Sequence, residues 1–419
     1  MASAGERNFG RWLVAICLAA FALRLGIRAI TGTERYWTDG YGLYIQLAES
    51  IGQGRGYALA GQEPTAYRVP LYPLFIWAVT GGGHRIAWAL ITAQAAVSAG
   101  TAGMAGLIAR RMAGPAAGLF AAALYALWPY GAWHDVSLQE SGLFAFLAAL
   151  ATWALLVARG RRTAIAAIGA GAALGLAMLT RATLLPFTLG ALAWLVLPAR
   201  LEKASLARRA GTALLALCAF ALVLGPWLER AHRMTGTYGL GTESGQALYA
   251  GNHPLTFSAY PTGSIDESRS RIFAAHTPAE RAELARLDEA GMDRWYRDKG
   301  IAEITGSPAA FAAGALRKLW AAFGPWPVPR HSLPADLAYM ATWLPFLALG
   351  LAGMALRRRE WRADGLLWWH FATFALTTAL FWAQTAHRSY LDPFIAVFGG
   401  VALARLVPAA KARLRSRAS

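Results

Sequence analysis

Three stretches of this chain concentrate residues able to move a proton or hold an anion. The first, TGTERYWTDGYGLYIQLAESIGQGRGYALAGQEPTAYRVPLYPLFIWAV, places Asp39 between Thr38 and Gly40 in an aromatic setting. A carboxylate there can serve as a general base, or it can simply cap a helix. Arg68 follows in an Arg-Val-Pro-Leu-Tyr-Pro run that includes Tyr72. The second stretch, WPYGAWHDVSLQESGLFAFL, holds His134, Asp135 and Glu140 within seven residues. Glu140 stands where an apolar run begins. An ionisable group at that depth is a functional candidate, and a carboxylate at a helix N-terminus is also favoured by the helix dipole. His134 and Asp135 are pocket candidates or an ordinary interfacial pair. Their spacing matches no tight metal-ligand pattern, so a divalent metal stays open as a cofactor. The third stretch, FWAQTAHRSYLDPFIAVFGG, carries His387, Arg388 and Tyr390 between two apolar runs. An arginine there can clamp a phosphate through two parallel hydrogen bonds, or snorkel to lipid headgroups.

Arg181, in LTRATLLPF, is another arginine between apolar runs, and Asn252 lies in a Gly-Asn-His-Pro turn. Tyr41, Tyr44 and Tyr57 join them as pocket candidates, with interfacial anchoring as the competing role. Together these residues suit one chemistry. A carboxylate deprotonates an acceptor hydroxyl, and arginines hold the phosphate that leaves a lipid-linked donor.

The elements that must position these groups follow from composition. Of 419 residues, 56% are hydrophobic and only 15% charged. A soluble globular chain carries about 25% charge, so a polytopic membrane protein is expected. A disordered tail, a disulfide framework and an ordinary soluble enzyme are excluded. The two cysteines, Cys17 and Cys218, both fall in apolar runs and imply neither a disulfide nor a metal site. The net charge is +17, with 40 basic residues, of which 36 are arginine. No nucleic-acid motif accompanies it, and basic loops beside an anionic leaflet explain it more simply. No cleavable signal peptide is expected, because the first apolar run is too long for one.

A helical span needs about 20 mostly apolar residues. Ten segments qualify: 12–30, 84–109, 115–133, 139–158, 163–180, 183–198, 210–228, 336–356, 364–383 and 390–407. With ten spans, the basic clusters around Arg7, Arg110, Arg159, Arg208, Arg358 and Arg413 share one side, which the positive-inside rule makes cytoplasmic. The candidate residues then share the opposite, external face. The chain divides into a transmembrane part, 1–228, whose first external loop is 31–83, an external cap, 229–335, and three C-terminal spans within 336–419. Helices are expected at 41–48, at 70–80 and over the charged stretch 278–299.

The order of these pieces resembles the GT-C membrane glycosyltransferases. The branch is that of protein O-mannosyltransferases and the lipid A aminoarabinose and galacturonic acid transferases. The resemblance rests on Trp37-Thr38-Asp39-Gly40, Gly54-Arg55-Gly56-Tyr57, Arg68 to Pro73, Gln139-Glu140, Thr180-Arg181, Gly251-Asn252 and His387-Arg388-Ser389-Tyr390. It implies an all-α bundle with external interfacial helices. It also implies inverting transfer from a polyprenyl-phosphate sugar to a lipid, glycan or protein acceptor at the external face of a bacterial plasma membrane, with Asp39 as base. The chain departs from the pattern twice. Many members have Asp-Glu where this chain has Asp39-Gly40, so a second carboxylate would be Glu140 or Asp135. Ser389 also separates Arg388 from Tyr390, which weakens a phosphate role for Arg388. Two rival classes are a transporter or flippase and an inactive lipid-binding scaffold of the same fold. Spans with almost no charge at their centres, and no visible repeat, count against transport.

Overall fold

A computed structural model describes residues 4–38, 40–59, 64–198, 204–382 and 384–418, with Asp39 outside the described residues. Among the described residues nineteen α-helices run in the order α1 (Ala4–Thr31), α2 (Gly42–Gly52), α3 (Leu71–Val79), α4 (Ala87–Ala113), α5 (Pro115–Leu127), α6 (Pro129–His134), α7 (Ser141–Arg161), α8 (Ala164–Thr180), α9 (Leu185–Val196), α10 (Leu206–Thr235), α11 (Ser244–Asn252), α12 (Ile265–Ala274), α13 (Pro278–Leu284), α14 (Glu289–Gly306), α15 (Pro308–Phe323), α16 (Leu333–Leu356), α17 (Gly365–Leu380), α18 (Thr385–Arg388) and α19 (Asp392–Ala418). Among the described residues the only β pairing is a single bridge between Ala58 and Pro64.

Each of the ten expected spans coincides with a helix. Six stretches are long and apolar enough to cross a membrane: those of α1, α4, α7, α10 and α16, and Thr385–Val407, which takes in α18 and α19 up to Val407. The helices α5, α8, α9 and α17 are shorter, at 13, 17, 12 and 16 residues. At 1.5 Å per residue the longest of these four reaches about 26 Å, short of a typical hydrocarbon core. The chain is a multi-pass membrane protein of all-α fold.

The bundle is layered. In α4, α7 and the Thr385–Val407 stretch, 61%, 61% and 72% of the most apolar window is buried, against 17% in α1 and 28% in α10 and α16. The first three therefore form the interior. The other three present Trp12, Leu18, Leu222 and Leu351 outward, which is costly in water and natural against lipid. Small residues set the inner spacing. A Cβ on Gly171 would run into the Ala216 backbone, and one on Gly353 into the Phe398 backbone. These glycines let α8 close on α10 and α16 on α19, as close packing in lipid requires.

Three expectations need correction. The third segment does not run unbroken to 133. Pro129 lacks an N–H and pushes Trp128 into an extended conformation (ψ 109°), so α5 ends and the short α6 begins. The charged stretch 278–299 is two helices, because the Asp288 side chain accepts from the Gly291 N–H and starts a new one. The spans are also not charge-free. Arg24 and Arg28 of α1 are both buried. Arg24 donates to Ser98 (2.5 Å), to the carbonyls of Ala20 (3.2 Å) and Ala126 (3.1 Å), and to Asp135 (3.3 Å).

The 31–83 loop and the 229–335 segment, the cap, meet at one end of the bundle. The short helices expected at 41–48 and 70–80 are α2 and α3. They pack on each other, with Tyr44, Leu47, Tyr72 and Ile76 buried. The backbone N–H groups of Thr242 and Glu243 donate to the carbonyls of Ala66 (3.2 Å) and Tyr67 (3.3 Å). Glu289 accepts from the Thr65 hydroxyl (2.8 Å) and the Ala66 N–H (3.0 Å). Helices α11, α12 and α14 share a small core of Tyr249, Ile272 and Tyr296.

Candidate active site

A cavity of about 560 Å³ lies between the bundle and this loop–cap layer. Its walls come from α2, the 66–69 segment, the α7 and α8 ends, the start of the cap, α12, and the end of α17 through α18. The chain reverses direction at most of these points. Terminal side chains of separate helices therefore converge there.

Glu140 sits just before α7, with its backbone helical and its side chain making no cap bond. Arg181 is extended (φ −153°, ψ 115°) where α8 stops. That turn throws its guanidinium toward Glu140. Arg181 donates to Glu140 Oε1 from Nε (3.1 Å) and Nη2 (2.7 Å), while Glu140 Oε2 is buried without a partner. Burial alone would raise the Glu140 pKa, yet Arg181 and then Arg68 hold it down at about 2. A carboxyl so acidic is a poor proton acceptor at neutral pH and a good hydrogen-bond acceptor.

Arg68 bridges the loop and the cap. It donates from Nη1 to the Tyr44 hydroxyl (2.7 Å) and from Nη2 to Glu243 Oε1 (2.6 Å), and its Nε is buried without a partner. Its guanidinium also lies 5.1 Å from the Tyr41 ring centre. The same Glu243 oxygen accepts from Arg269 of α12 (3.0 Å), whose other nitrogen reaches Tyr67 and Gln246. Two arginines thus hold Glu243 below the usual carboxylate range against the opposing effect of burial. Tyr41 donates to Asp266 (3.0 Å) across the cavity mouth. On the α17–α18 side, His387 Nδ1 accepts from the Gln384 N–H (3.3 Å). That bond leaves the ring proton on Nε2, making it a donor.

The cavity brings together Tyr41, Tyr44, Arg68, Glu140, Arg181, His387 and Tyr390 of the residues expected from sequence. Asp39 lies outside the described residues. Its neighbour Gly40 packs so closely on Leu138 that a Cβ there would fall 2.7 Å from Leu138 Cβ, and Tyr41 N–H donates to the Leu138 carbonyl (3.2 Å). Leu138 is two residues before Glu140.

Other expected residues stand elsewhere. Tyr72 is buried behind Tyr44, with ring centres 5.0 Å apart, and accepts from Gln94 (2.9 Å). Tyr57 supports the site from outside by donating to the Arg68 carbonyl (3.0 Å). Asn252 donates to the carbonyls of Leu248 and Leu380, both at 2.8 Å. His134 is buried against Tyr130, and burial lowers its pKa to about 4, so it is neutral. Arg388 is fully buried and points away, its guanidinium 3.6 Å from the Trp343 ring centre and donating to Tyr339 (3.1 Å). Asp135 accepts from Tyr125 (3.0 Å), Ser98 and Arg24 inside the bundle. Breaking this buried pair leaves an uncompensated arginine. Asp135→Ala is therefore expected to cost roughly 3–5 kcal/mol in detergent thermal denaturation, with ligand binding by the folded protein unchanged.

Sequence reading missed Glu243, Arg269 and Asp266. Each sits in a polar cap segment with no composition signal, and only the docking of cap on loop gives it meaning. Among the described residues no group of three His, Cys, Asp or Glu gathers to hold a metal.

Residues 63–228 match the family model of dolichyl-phosphate-mannose-protein mannosyltransferases. No curated protein sequence matches the chain. Among solved structures, the chain is similar to the archaeal oligosaccharyltransferase AglB from Archaeoglobus fulgidus in complex with an inhibitory peptide and a dolichol-phosphate. The TM-score is 0.52 at 15% identity, covering 97% of this chain and 52% of that one. A form of the Archaeoglobus fulgidus oligosaccharyltransferase tethered to an acceptor peptide gives 0.54 at 14% identity, covering 94% and 49%. ArnT from Cupriavidus metallidurans bound to undecaprenyl phosphate gives 0.41 at 15% identity, covering 96% and 79%. The chain spans about half the length of the oligosaccharyltransferase.

Proposed function

We propose that this chain, which has the fold of the GT-C membrane glycosyltransferases, is itself a glycosyltransferase. It takes a sugar from a polyprenyl-phosphate donor and passes it, with inversion, to a hydroxyl of a lipid, glycan or protein acceptor. The observation that carries this reading is the convergence of Arg68 and Arg181 with the half-satisfied Glu140 at one cavity. The cavity's α9–α17 side is apolar, with Leu185, Pro186 and Leu376. A lipid tail fits such a wall while its phosphate faces the arginines.

In this mechanism Asp39 accepts the acceptor's hydroxyl proton as that oxygen bonds to the anomeric carbon. The bond from that carbon to the phosphate oxygen breaks, and the electron pair leaves with polyprenyl phosphate. Phosphate is a good leaving group and needs charge stabilisation more than protonation, which Arg181 and Arg68 supply. His387 donates from Nε2. Glu140 holds Arg181 in place and offers its free oxygen to a sugar hydroxyl. The basic clusters favour a cytoplasmic side opposite the cavity, and on this reading the reaction takes place at the external face of a bacterial plasma membrane.

The direct test of the site is binding of polyprenyl phosphate to the purified protein in nanodiscs, with the phosphate-free polyprenol as control. The reading predicts saturable binding of the phosphate form that weakens in Arg68→Ala. Equal binding of the two lipids would remove the phosphate site.

A further inference from the structure

Lys318 of α15 lies outside the cavity and is the most deeply buried ammonium among the described residues, at 1% exposure. Four oxygens lie within hydrogen-bonding distance of its Nζ, which has three protons to share among them. These are the carbonyls of Ala379 (2.6 Å), Phe381 (3.0 Å) and Gly251 (3.1 Å), and the Asn252 side-chain oxygen (3.3 Å). Among the described residues no carboxylate pairs with it, and burial pulls its pKa down.

The four oxygens belong to two ends. Ala379 and Phe381 stand where α17 stops, and Gly251 and Asn252 where α11 stops. Carbonyls at helix C-termini have no partners within the helix and carry the negative end of its dipole. One buried cation therefore satisfies two helix ends at once. Gly251 makes the approach possible, since a Cβ there would run into the Phe381 backbone. The wall so fixed is the cavity's own, because Ala250, Leu380, Phe381 and Trp382 all line it.

We infer that Lys318 is a positioning residue for the site: it pins the end of α17 to the cap and so sets the cavity wall opposite Arg68 and Arg181. This rests on the function proposed above. It also gives Gly251 and Asn252, which the sequence suggests as a turn and which are the last residues of α11, the role of joining the cap to the bundle.

Titratable groups on the elements packed around Lys318 have partners of their own, among them His387 of α18, which accepts from the Gln384 N–H, and Asp293 and Arg297 of α14, which pair with each other. His370 of α17 lies against Thr152 and Phe187. Arg388 of α18 reaches α15 at the Ala322 carbonyl (3.4 Å). Arg317, beside Lys318 on α15, stacks on Phe257 and Tyr260. Tyr249 of α11 and Tyr296 of α14 pack on each other, 5.6 Å apart. Burial lowers the Lys318 pKa to about 8, so its charge is lost as pH rises through that value. An arginine at this position stays charged.

The test compares wild type, Lys318→Met and Lys318→Arg in nanodiscs for polyprenyl phosphate binding between pH 7 and 9.5. Hydrogen exchange at residues 248–252 and 379–382, corrected for intrinsic rate, is read in parallel. Wild type is expected to bind about tenfold more weakly at pH 9.5 than at pH 7, and Lys318→Met about tenfold more weakly at both. Lys318→Arg should hold its affinity across the range. Binding by wild type that depends on neither pH nor Lys318 would overturn the inference and leave the proposed function intact. If wild type binds no polyprenyl phosphate at all, the function fails and exchange decides this inference alone. Protection at 379–382 lost in Lys318→Met and kept in Lys318→Arg supports it, and unchanged protection refutes it. Gly251→Ala perturbs the same junction without touching the charge and should reproduce the Lys318→Met exchange pattern.

Discussion

Asp39→Asn is expected to lower turnover by about 10²–10⁴-fold while leaving donor affinity and thermal stability near wild type. The amide keeps the size of the side chain and removes only its basicity, so the loss should fall on kcat. Glu140 cannot take over the role. Its carboxyl titrates at about 2 because Arg181 and Arg68 hold its charge, and a group that acidic recovers little of a base's rate. A steady-state comparison of the two proteins, with kcat and KM separated, checks this. An Asp39→Asn enzyme with unchanged kcat would show that the proton goes elsewhere.

Arg181→Ala should be the most damaging change on the bundle side of the cavity. It removes the proposed phosphate contact, worth about a hundredfold in turnover for a donor that stabilises developing charge. It also strands Glu140, which is 5% exposed, and breaking one partner of such a buried pair costs roughly 3–5 kcal/mol. The two effects separate by pH. In wild type the Glu140 pKa is depressed, so its stabilising contribution is fully present above the unfolded value near 4.5 and is lost as pH falls toward about 2. Without Arg181, burial raises that pKa instead, and the stranded charge destabilises the fold above it. The stability gap between wild type and Arg181→Ala should be widest near pH 7 and shrink steadily as pH falls toward about 2. Melting curves across that range test it, and a pH-independent gap would mean that Glu140 is not the cause.

The helices were legible because each span must be apolar along its whole length, and composition records that directly. All ten expected segments coincide with helices. The breaks were less legible. Pro129 could be read in the sequence, but the stop between α13 and α14 depends on an Asp288 cap that resembles any other polar residue in a charged run. The site was legible only in part. Arg181 and Arg388 give the same cue, an arginine between two apolar runs. One lies at an extended residue facing Glu140, and the other on a single-turn helix facing Trp343. The direction of a side chain at a chain reversal depends on tertiary packing, which spacing does not encode. Glu243 and Arg269 were invisible for a related reason, since their importance comes from a cap docking on a loop some 175 residues earlier. Asp135 shows the converse. Its place beside His134 and Glu140 suggests chemistry, yet the one-turn α6 carries it into the bundle to neutralise Arg24.

The central claim is transfer from a polyprenyl-phosphate sugar at this cavity. Its most direct test is release of free polyprenyl phosphate by the purified protein in nanodiscs, across a panel of polyprenyl-phosphate sugars and with mixed acceptors, with and without a chelator. Release from at least one donor by wild type is expected, at a rate reduced at least a hundredfold in Asp39→Asn. Donor binding without release from any sugar, or equal release by the two proteins, would contradict it.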